Sequence, residues 1–354
     1  MVIAAHPAHL SLASDAQAPI PTPILNALTE VNVGDHPGFE QDPWSRDVHQ
    51  LFRHIFKRSD AELSFTSSGT GANILGLSTI TAPGEAIICA ETSHLYNDSA
   101  ATVERVLGSR LIPAPTHGGK LTPKKLEPFF ARKGDLHTPQ IKVLSFAQPT
   151  EVGTLYTLGE LRTLADFAQT KDCLIHIDGA RLPLAVIGLG CSFSDITQAS
   201  NCRALSLGGT KLGLLNADAS ICFPPLKQSL HFQRKQLLQL CSKSRYVAAQ
   251  FLTLFGTNLW RELGKQALSS AQSVQIGLLQ LGFEAPAFPV ESNMVFVAVP
   301  PNRVKKMRKY AHFYVWDREK HLCRLVTHHG ISTTKISQLM EQWQKELGLS
   351  TSIL

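Results

Sequence analysis

Cys173-Leu-Ile-His-Ile-Asp178-Gly-Ala-Arg181 and Ala204-Leu-Ser-Leu-Gly208-Gly209-Thr210-Lys211 are two apolar runs that each end abruptly in ionisable residues. Asp178 and Lys211 stand 33 positions apart. A short apolar run closed by glycine and a charge is how a parallel strand delivers a reactive side chain to its carboxyl end, the edge of an open α/β sheet where ligands bind. Around this pair, strand-like and helix-like patterns alternate. The segments 61–66, 86–91, 141–147, 173–178 and 204–208 read as strands. The segments 71–80 and 158–169 read as helices. In the second, Thr157 and Glu160 have capping-box spacing, and Leu161, Leu164, Ala165 and Ala168 line one face. This alternation predicts a mostly parallel central sheet with helices on both faces.

Two amphipathic helices precede the sheet, one beginning near Pro23 and one from Trp44 to Lys57 with Val48, Leu51, Phe52 and Ile55 on one face. Residues 1–20 are Ala/Pro-rich and weakly patterned, which reads as a surface arm. After the sheet come a long helical stretch over 230–258, a helix near 266–281, strands at 293–299 and 322–327, and a final helix over 333–347. The expected division is an arm (1–20), a large α/β domain (21–245) and a smaller α+β domain (246–354).

The chain has 354 residues, 44% of them hydrophobic and 18% charged, the composition of a soluble globular protein. No apolar run reaches the roughly 18 residues of a membrane span. The N-terminus lacks a cationic n-region and a long apolar h-segment, which argues against a secretory signal. The seven cysteines are scattered and form no CxxC pair, as free thiols in a reducing cytoplasm would be. The net charge is +6, and its densest run is Arg303, Lys305, Lys306, Arg308 and Lys309. That run reads as a solvated helix face and not as a nucleic-acid site.

A buried acid beside a buried lysine requires a purpose, because desolvating either charge alone is costly. Pyridoxal 5′-phosphate (PLP) supplies one: a lysine forms a Schiff base with its aldehyde, and a carboxylate keeps its pyridine nitrogen protonated so that the ring accepts electrons. Ser68-Gly69-Thr70-Gly71-Ala72-Asn73 follows a strand and opens a helix, a setting in which free amides and the Thr70 hydroxyl can meet an anion. Its spacing matches neither the dinucleotide nor the P-loop motif, so alone it is equally an ordinary glycine-rich turn. Lys211 could be a surface lysine, but Leu212, Leu214 and Leu215 follow it directly. Asp178 could open a simple Asp-Gly turn, and Arg181 could sit on a helix surface or bind a carboxylate or phosphate as a fork. Thr210 could bond a phosphate. His94, just past a strand end, is either a structural histidine or a ring that stacks on a cofactor. Glu151 is an acid/base candidate or a turn carboxylate, and Arg324 is a strand-face arginine or a carboxylate clamp.

Taken in order, these motifs resemble the threonine aldolases of PLP fold type I, within the aromatic-amino-acid β-eliminating lyase/threonine aldolase superfamily, and most of all its bacterial low-specificity L-threonine aldolase branch. The likeness runs from Ser14-Asp15 through Gly34-Asp35-His-Pro-Gly, Ser68 to Asn73, the His94 segment, Gln148-Pro-Thr-Glu151 and His176-Ile-Asp178-Gly-Ala-Arg181 to Ser206-Leu-Gly-Gly-Thr-Lys211, Ser242-Lys-Ser-Arg245 and Arg324-Leu-Val-Thr327. It implies that Lys211 holds PLP, Asp178 meets the pyridine nitrogen and His94 stacks on the ring. Gly69, Thr70 and Thr210 would bind phosphate, with Arg245 lent to a neighbouring subunit of a homodimer or homotetramer. Ser14, Arg181 and Arg324 would bind the carboxylate of an amino acid substrate. The implied reaction cleaves the Cα–Cβ bond of a β-hydroxy amino acid to glycine and an aldehyde, with His94, Glu151 or a water as base. β-Elimination from a Ser- or Cys-type amino acid, or PLP binding without turnover, are the alternatives. Ala16, Ser99, Pro183 and Leu212 depart from the branch's usual residues at positions around the cofactor set.

Overall fold

A computed structural model describes residues 9–349. Its twelve strands are β1 (Leu10–Ser11), β2 (Glu62–Thr66), β3 (Ala86–Ala90), β4 (Arg110–Ala114), β5 (Ile141–Ala147), β6 (Leu174–Gly179), β7 (Cys202–Leu207), β8 (Asp218–Cys222), β9 (Met294–Ala298), β10 (Ala311–His312), β11 (Tyr314–Asp317) and β12 (Leu322–Val326). The central sheet has seven strands in the order β2-β8-β7-β6-β5-β3-β4. From β7 to β4 every pairing is parallel. β8 runs against both of its neighbours, β7 and β2. This is the α/β architecture expected, a mostly parallel sheet clad in helices.

The expected helices form where their caps are. Thr157 Oγ1 accepts the amide of Glu160 at 3.2 Å while Glu160 Oε2 accepts that of Thr157 at 2.7 Å, and the helix runs Leu158–Thr170. Ser68 caps Gly69–Ser78, and Asp42 caps Pro43–Phe56. Such caps satisfy amides that have no partner within the helix. The stretch 230–258 breaks into two helices, Leu230–Gln236 and Ser244–Phe255. Between them the chain turns at Leu238 (φ 61°) and crosses the head of the Gly69–Ser78 helix, where Gln239 lies against Gly71. Tertiary packing overrides the helical propensity of these leucines there.

One core underlies the central sheet and takes in the buried faces of Ser244–Phe255 and the helix Leu259–Gln280 as far as Ala267. A second core begins at Ala271 of that same helix and includes β9, β12 and the final helix Thr333–Leu347. The antiparallel order β11-β12-β9 forms its sheet. The expected division at 245–246 thus falls at the head of a helix that packs on the first core. The N-terminal segment enters the second core: Leu12 is fully buried, β1 pairs in parallel with β10, and the Val326 amide donates to the Leu12 carbonyl at 2.7 Å. Residues 1–8 of the expected arm lie outside the described residues. No single helix among these is long and apolar enough to cross a membrane.

Candidate active site

β6 and β7 pair with Asp178 opposite Ser206 and Gly179 opposite Leu207. Beyond them, the Gly208 amide donates to the Gly179 carbonyl at 3.1 Å. A Cβ at Gly208 would fall inside the Ala180 carbonyl oxygen, and one at Gly179 inside that of Ser206. Only glycine lets the two strand ends close, and this closure brings Asp178 and Lys211 into one site. Gly208→Ala is expected to cost about 2–3 kcal/mol by overpacking, read as a lower denaturation midpoint.

The side chains meet in a cavity of about 820 Å³, with Ser14, His94, Glu151, Asp178, Arg181, Lys211 and Arg324 in its wall. Tyr314 and Trp316 complete that wall from β11. Seven of the expected site residues therefore converge from six separate parts of the chain.

Asp178 Oδ2 accepts Asn73 Nδ2 at 2.7 Å, and Oδ1 accepts the Ala180 amide at 3.0 Å. Burial would raise its pKa, but the charges of Lys211 and His94 together with these donors hold it below the usual carboxylate range. Asp178 is therefore an anion in the site. Lys211 is pushed the other way: burial and the Arg181 charge lower its pKa, against Asp15, Asp178 and Asp218. A lowered pKa is the direction that activates a lysine as a nucleophile. Asp218, on β8, holds the turn that carries it. Its Oδ1 accepts the Gly209 and Thr210 amides at 2.8 and 3.2 Å, and its Oδ2 the Thr210 hydroxyl at 3.0 Å.

Glu151 follows β5 and faces the His94 segment, accepting the His94 amide at 3.0 Å. Burial first, and the nearby Asp178 charge second, push its carboxyl up to about 7. Protonated and ionised forms are therefore both populated near neutrality. His94 opens the short helix His94–Asn97, and its Nδ1 lies 3.1 Å from Ser99 Oγ. Arg324, on β12, lies over the rings of Trp316 and Tyr314, whose centroids are 4.9 and 5.7 Å from its guanidinium carbon. Its Nε is buried with no partner among the described residues. Burial and the Arg181 charge lower its pKa. Arg181 is engaged already: Nε and Nη2 donate to Asp15 at 2.6 and 2.9 Å. Ser14 precedes that aspartate, and its Oγ accepts the Ala16 amide at 3.2 Å.

The other expected residues lie outside the cavity wall. Gly69 and Thr70 open their helix, one turn ahead of the Asn73 that holds Asp178. A Cβ at Gly69 would meet open space, and the Gly69 and Thr70 amides have no acceptor among the described residues. Thr210 directs its hydroxyl to Asp218 and accepts the Ala217 amide at 3.1 Å. Arg245 donates to the Val33 and Gly34 carbonyls at 3.2 and 2.9 Å, on the surface beside Tyr246. Of the departures from the branch's residues, Ser99 bonds the His94 ring, Leu212 is buried in the first core and Pro183 is buried near the start of the helix Leu182–Leu189.

The residues fit PLP. They offer a buried carboxylate anion for a pyridinium, a lysine with a lowered pKa, and unpaired helix-terminal amides on the Asn73 side of Asp178. The beta-eliminating lyase family model matches residues 11–300. The chain belongs to the beta-eliminating lyase family. It is 30% identical over 84% of its length to the low specificity L-threonine aldolase of Pseudomonas aeruginosa, covering 86% of that protein. Its identity with the Escherichia coli K12 enzyme of the same name is 26%, over 95% of this chain and 98% of the relative. Among solved structures, the threonine aldolase of Leishmania major superposes with a TM-score of 0.88 at 25% identity, over 95% of this chain and 99% of that one. Thermus thermophilus aspartate aminotransferase superposes at 0.70 with 15% identity, a likeness of fold alone. This beta-eliminating lyase family member therefore has the fold type I architecture.

Sequence reasoning passed over four residues that shape the site: Asn73, Asp15, Asn293 and Asp218. Asn73 was in view as part of the glycine motif, since its position one turn into the helix aims it at the neighbouring strand end. Asp15 and Asn293 act across the fold, where no local spacing marks them. Asp218 begins β8, a strand too short for its alternation to stand out.

Proposed function

We propose that the protein is a PLP-dependent lyase that cleaves the Cα–Cβ bond of a β-hydroxy amino acid of the threonine or allo-threonine type, giving glycine and an aldehyde. The observation that carries this is the Asp178–Lys211 pair at two closed strand ends, in a chain of this family. Lys211 would hold the aldehyde carbon of PLP, Asp178 the pyridine nitrogen, and His94 the face of the ring. Gly69 and Thr70 would meet the phosphate with their free amides, beside Thr210 and an Arg245 contributed by a second copy of the chain. When bound, PLP supplies the sink for the electron pair left on Cα.

The remaining groups act on the substrate. Arg324 and Arg181 fix its carboxylate, and Ser14 lies beside them. By holding that end they would orient the substrate's Cα bonds so that Cα–Cβ is the one cleaved. Glu151, poised near neutrality and bonded to the His94 backbone, takes the proton of the β-hydroxyl, directly or through a water.

Glycine formed from L-threonine or L-allo-threonine, and lost in Lys211→Ala, supports this reading. Pyruvate and ammonia without glycine would replace it with β-elimination. Absence of any turnover, with PLP still bound, would leave a binding protein. Borohydride reduction should fix the cofactor to the peptide that contains Lys211.

Glu151 yields a separate test. As a base it must be ionised, so kcat/KM should rise as pH rises through about 7. Glu151→Gln should abolish that limb and lower kcat about 10²-fold. The stability signature has the opposite sense. A carboxyl whose pKa is raised from 4.5 to about 7 on folding makes the native state less stable as pH climbs through that window. The Gln variant should lack that decline in thermal scans across the same range.

The oligomer and the compartment complete the proposal. A homo-oligomer with shared sites accounts for Arg245 on the surface and for Leu238, 90% exposed, on the segment over the Gly69 helix. Sedimentation equilibrium at the dimer or tetramer mass is the expected result. All seven cysteines are free, as a reducing cytoplasm requires.

A further inference from the structure

We infer that Asp15 is a positioning residue that commits Arg181 and leaves Arg324 as the bidentate anchor for the substrate carboxylate. This deepens the lyase reading above and rests on it. A guanidinium binds a carboxylate most strongly through two parallel N–H bonds. On Arg181 the Nε–Nη2 edge is spent on Asp15, at 2.6 and 2.9 Å. Asp15 is only 1% exposed, so the pair is not loosened by water. On Arg324 the corresponding Nε is buried with no partner among the described residues, and the guanidinium lies over the Trp316 and Tyr314 rings. Arg181 is left with its Nη1 end for the substrate, while Arg324 offers an entire edge.

Asp15 is also tied to the strand that carries Arg324. Asn293 Nδ2 donates to Asp15 Oδ2 at 2.9 Å and to the Thr327 carbonyl at 2.7 Å, just past the end of β12. The Val326 amide, on β12 itself, donates to the Leu12 carbonyl. One short N-terminal segment thus sets both arginines relative to each other. It also supplies the anion faced by Arg181, Arg324 and Lys211, three cations whose convergence would otherwise be repulsive.

The test is Asp15→Asn in the PLP-loaded protein. Asparagine has the same shape but presents one donor and one acceptor where two Arg181 N–H groups arrive, so the fork is released into the cavity. Binding of propionate, a carboxylate with no amine, should tighten about fivefold by calorimetry because the site gains positive charge. With the amino acid substrate, KM should stay level or fall while kcat drops about tenfold or more, because the carboxylate is drawn off Arg324. A residue that merely tethers the N-terminus would give the reverse, a raised KM and weaker propionate binding with kcat intact, and that result would overturn the inference.

Should D15N fail to fold, the paired change Asp15→Asn with Arg181→Gln replaces the ion pair by an amide–amide bond. It should keep propionate binding within about tenfold, while Arg324→Gln weakens it about a hundredfold. Equal losses would make Arg181 as strong an anchor as Arg324 and defeat the inference. A wrong lyase reading would show already in the wild type as absent glycine. Propionate binding requires no turnover and tests Asp15 in either case.

Discussion

Lys211→Ala is expected to reduce glycine formation by about 10⁴-fold or more, the scale of losing a covalent nucleophile. Burial and the Arg181 charge lower the lysine's pKa, which eases loss of the proton its amine must shed to react. Alanine leaves PLP only the noncovalent contacts of Asp178, His94 and the Gly69 amides. The cofactor should still bind, more weakly, and borohydride should no longer attach it to the chain. Added methylamine should restore a small part of the activity by replacing the missing amine. Wild-type turnover in the alanine variant would remove Lys211 from the chemistry altogether.

Asp178→Asn is expected to lower kcat about 10²- to 10³-fold, comparable to removing one preorganised electrostatic group from a transition state. The two acceptors of Asp178 are fixed by Asn73 and the Ala180 amide, so the amide side chain fits the space but not the charge. A neutral partner no longer keeps the pyridine nitrogen protonated, and the electron pair left on Cα loses its sink. The variant also deprives Lys211 of a nearby anion. In the cofactor-free protein its amine pKa should fall further, visible as an acid-shifted pH dependence of Lys211 modification by an amine reagent. Asp178→Glu, which keeps the charge, should not show that shift. An unchanged kcat in D178N would show that the ring is activated by some other group.

The central pair was legible in sequence because β6 and β7 are buried on both faces, which makes each a mostly apolar run, interrupted by His176 in β6 and by Arg203 and Ser206 in β7, with its reactive residue at or just past the end. The helix Leu158–Thr170 announced itself through its capping box. β4 did not, since Pro113 interrupts its pattern, a residue tolerated because β4 lies at the sheet edge. The break at Leu237–Lys243 contains neither glycine nor proline, so only packing against Gly71 reveals it. The Asp15 partner of Arg181 was not legible, because it lies 166 positions away and no periodicity links the two. The hydroxyl contact of Thr210 to Asp218, across the turn that follows β7, is marked by no motif either.

The N-terminal strand has a consequence for biosynthesis. Leu10 to Asp15 leave the ribosome well before their partners: Arg181 follows 166 positions after Asp15, and Asn293, His312 and Val326 come later still. Contacts this distant along the chain close late, after the intervening sheet has collapsed. The nascent chain can therefore build β2 to β8 and bring Asp178 to Lys211 while the carboxylate clamp is still absent. The ability to retain PLP would then arise before the ability to seat an amino acid, and the newly made protein would acquire its cofactor ahead of its substrate.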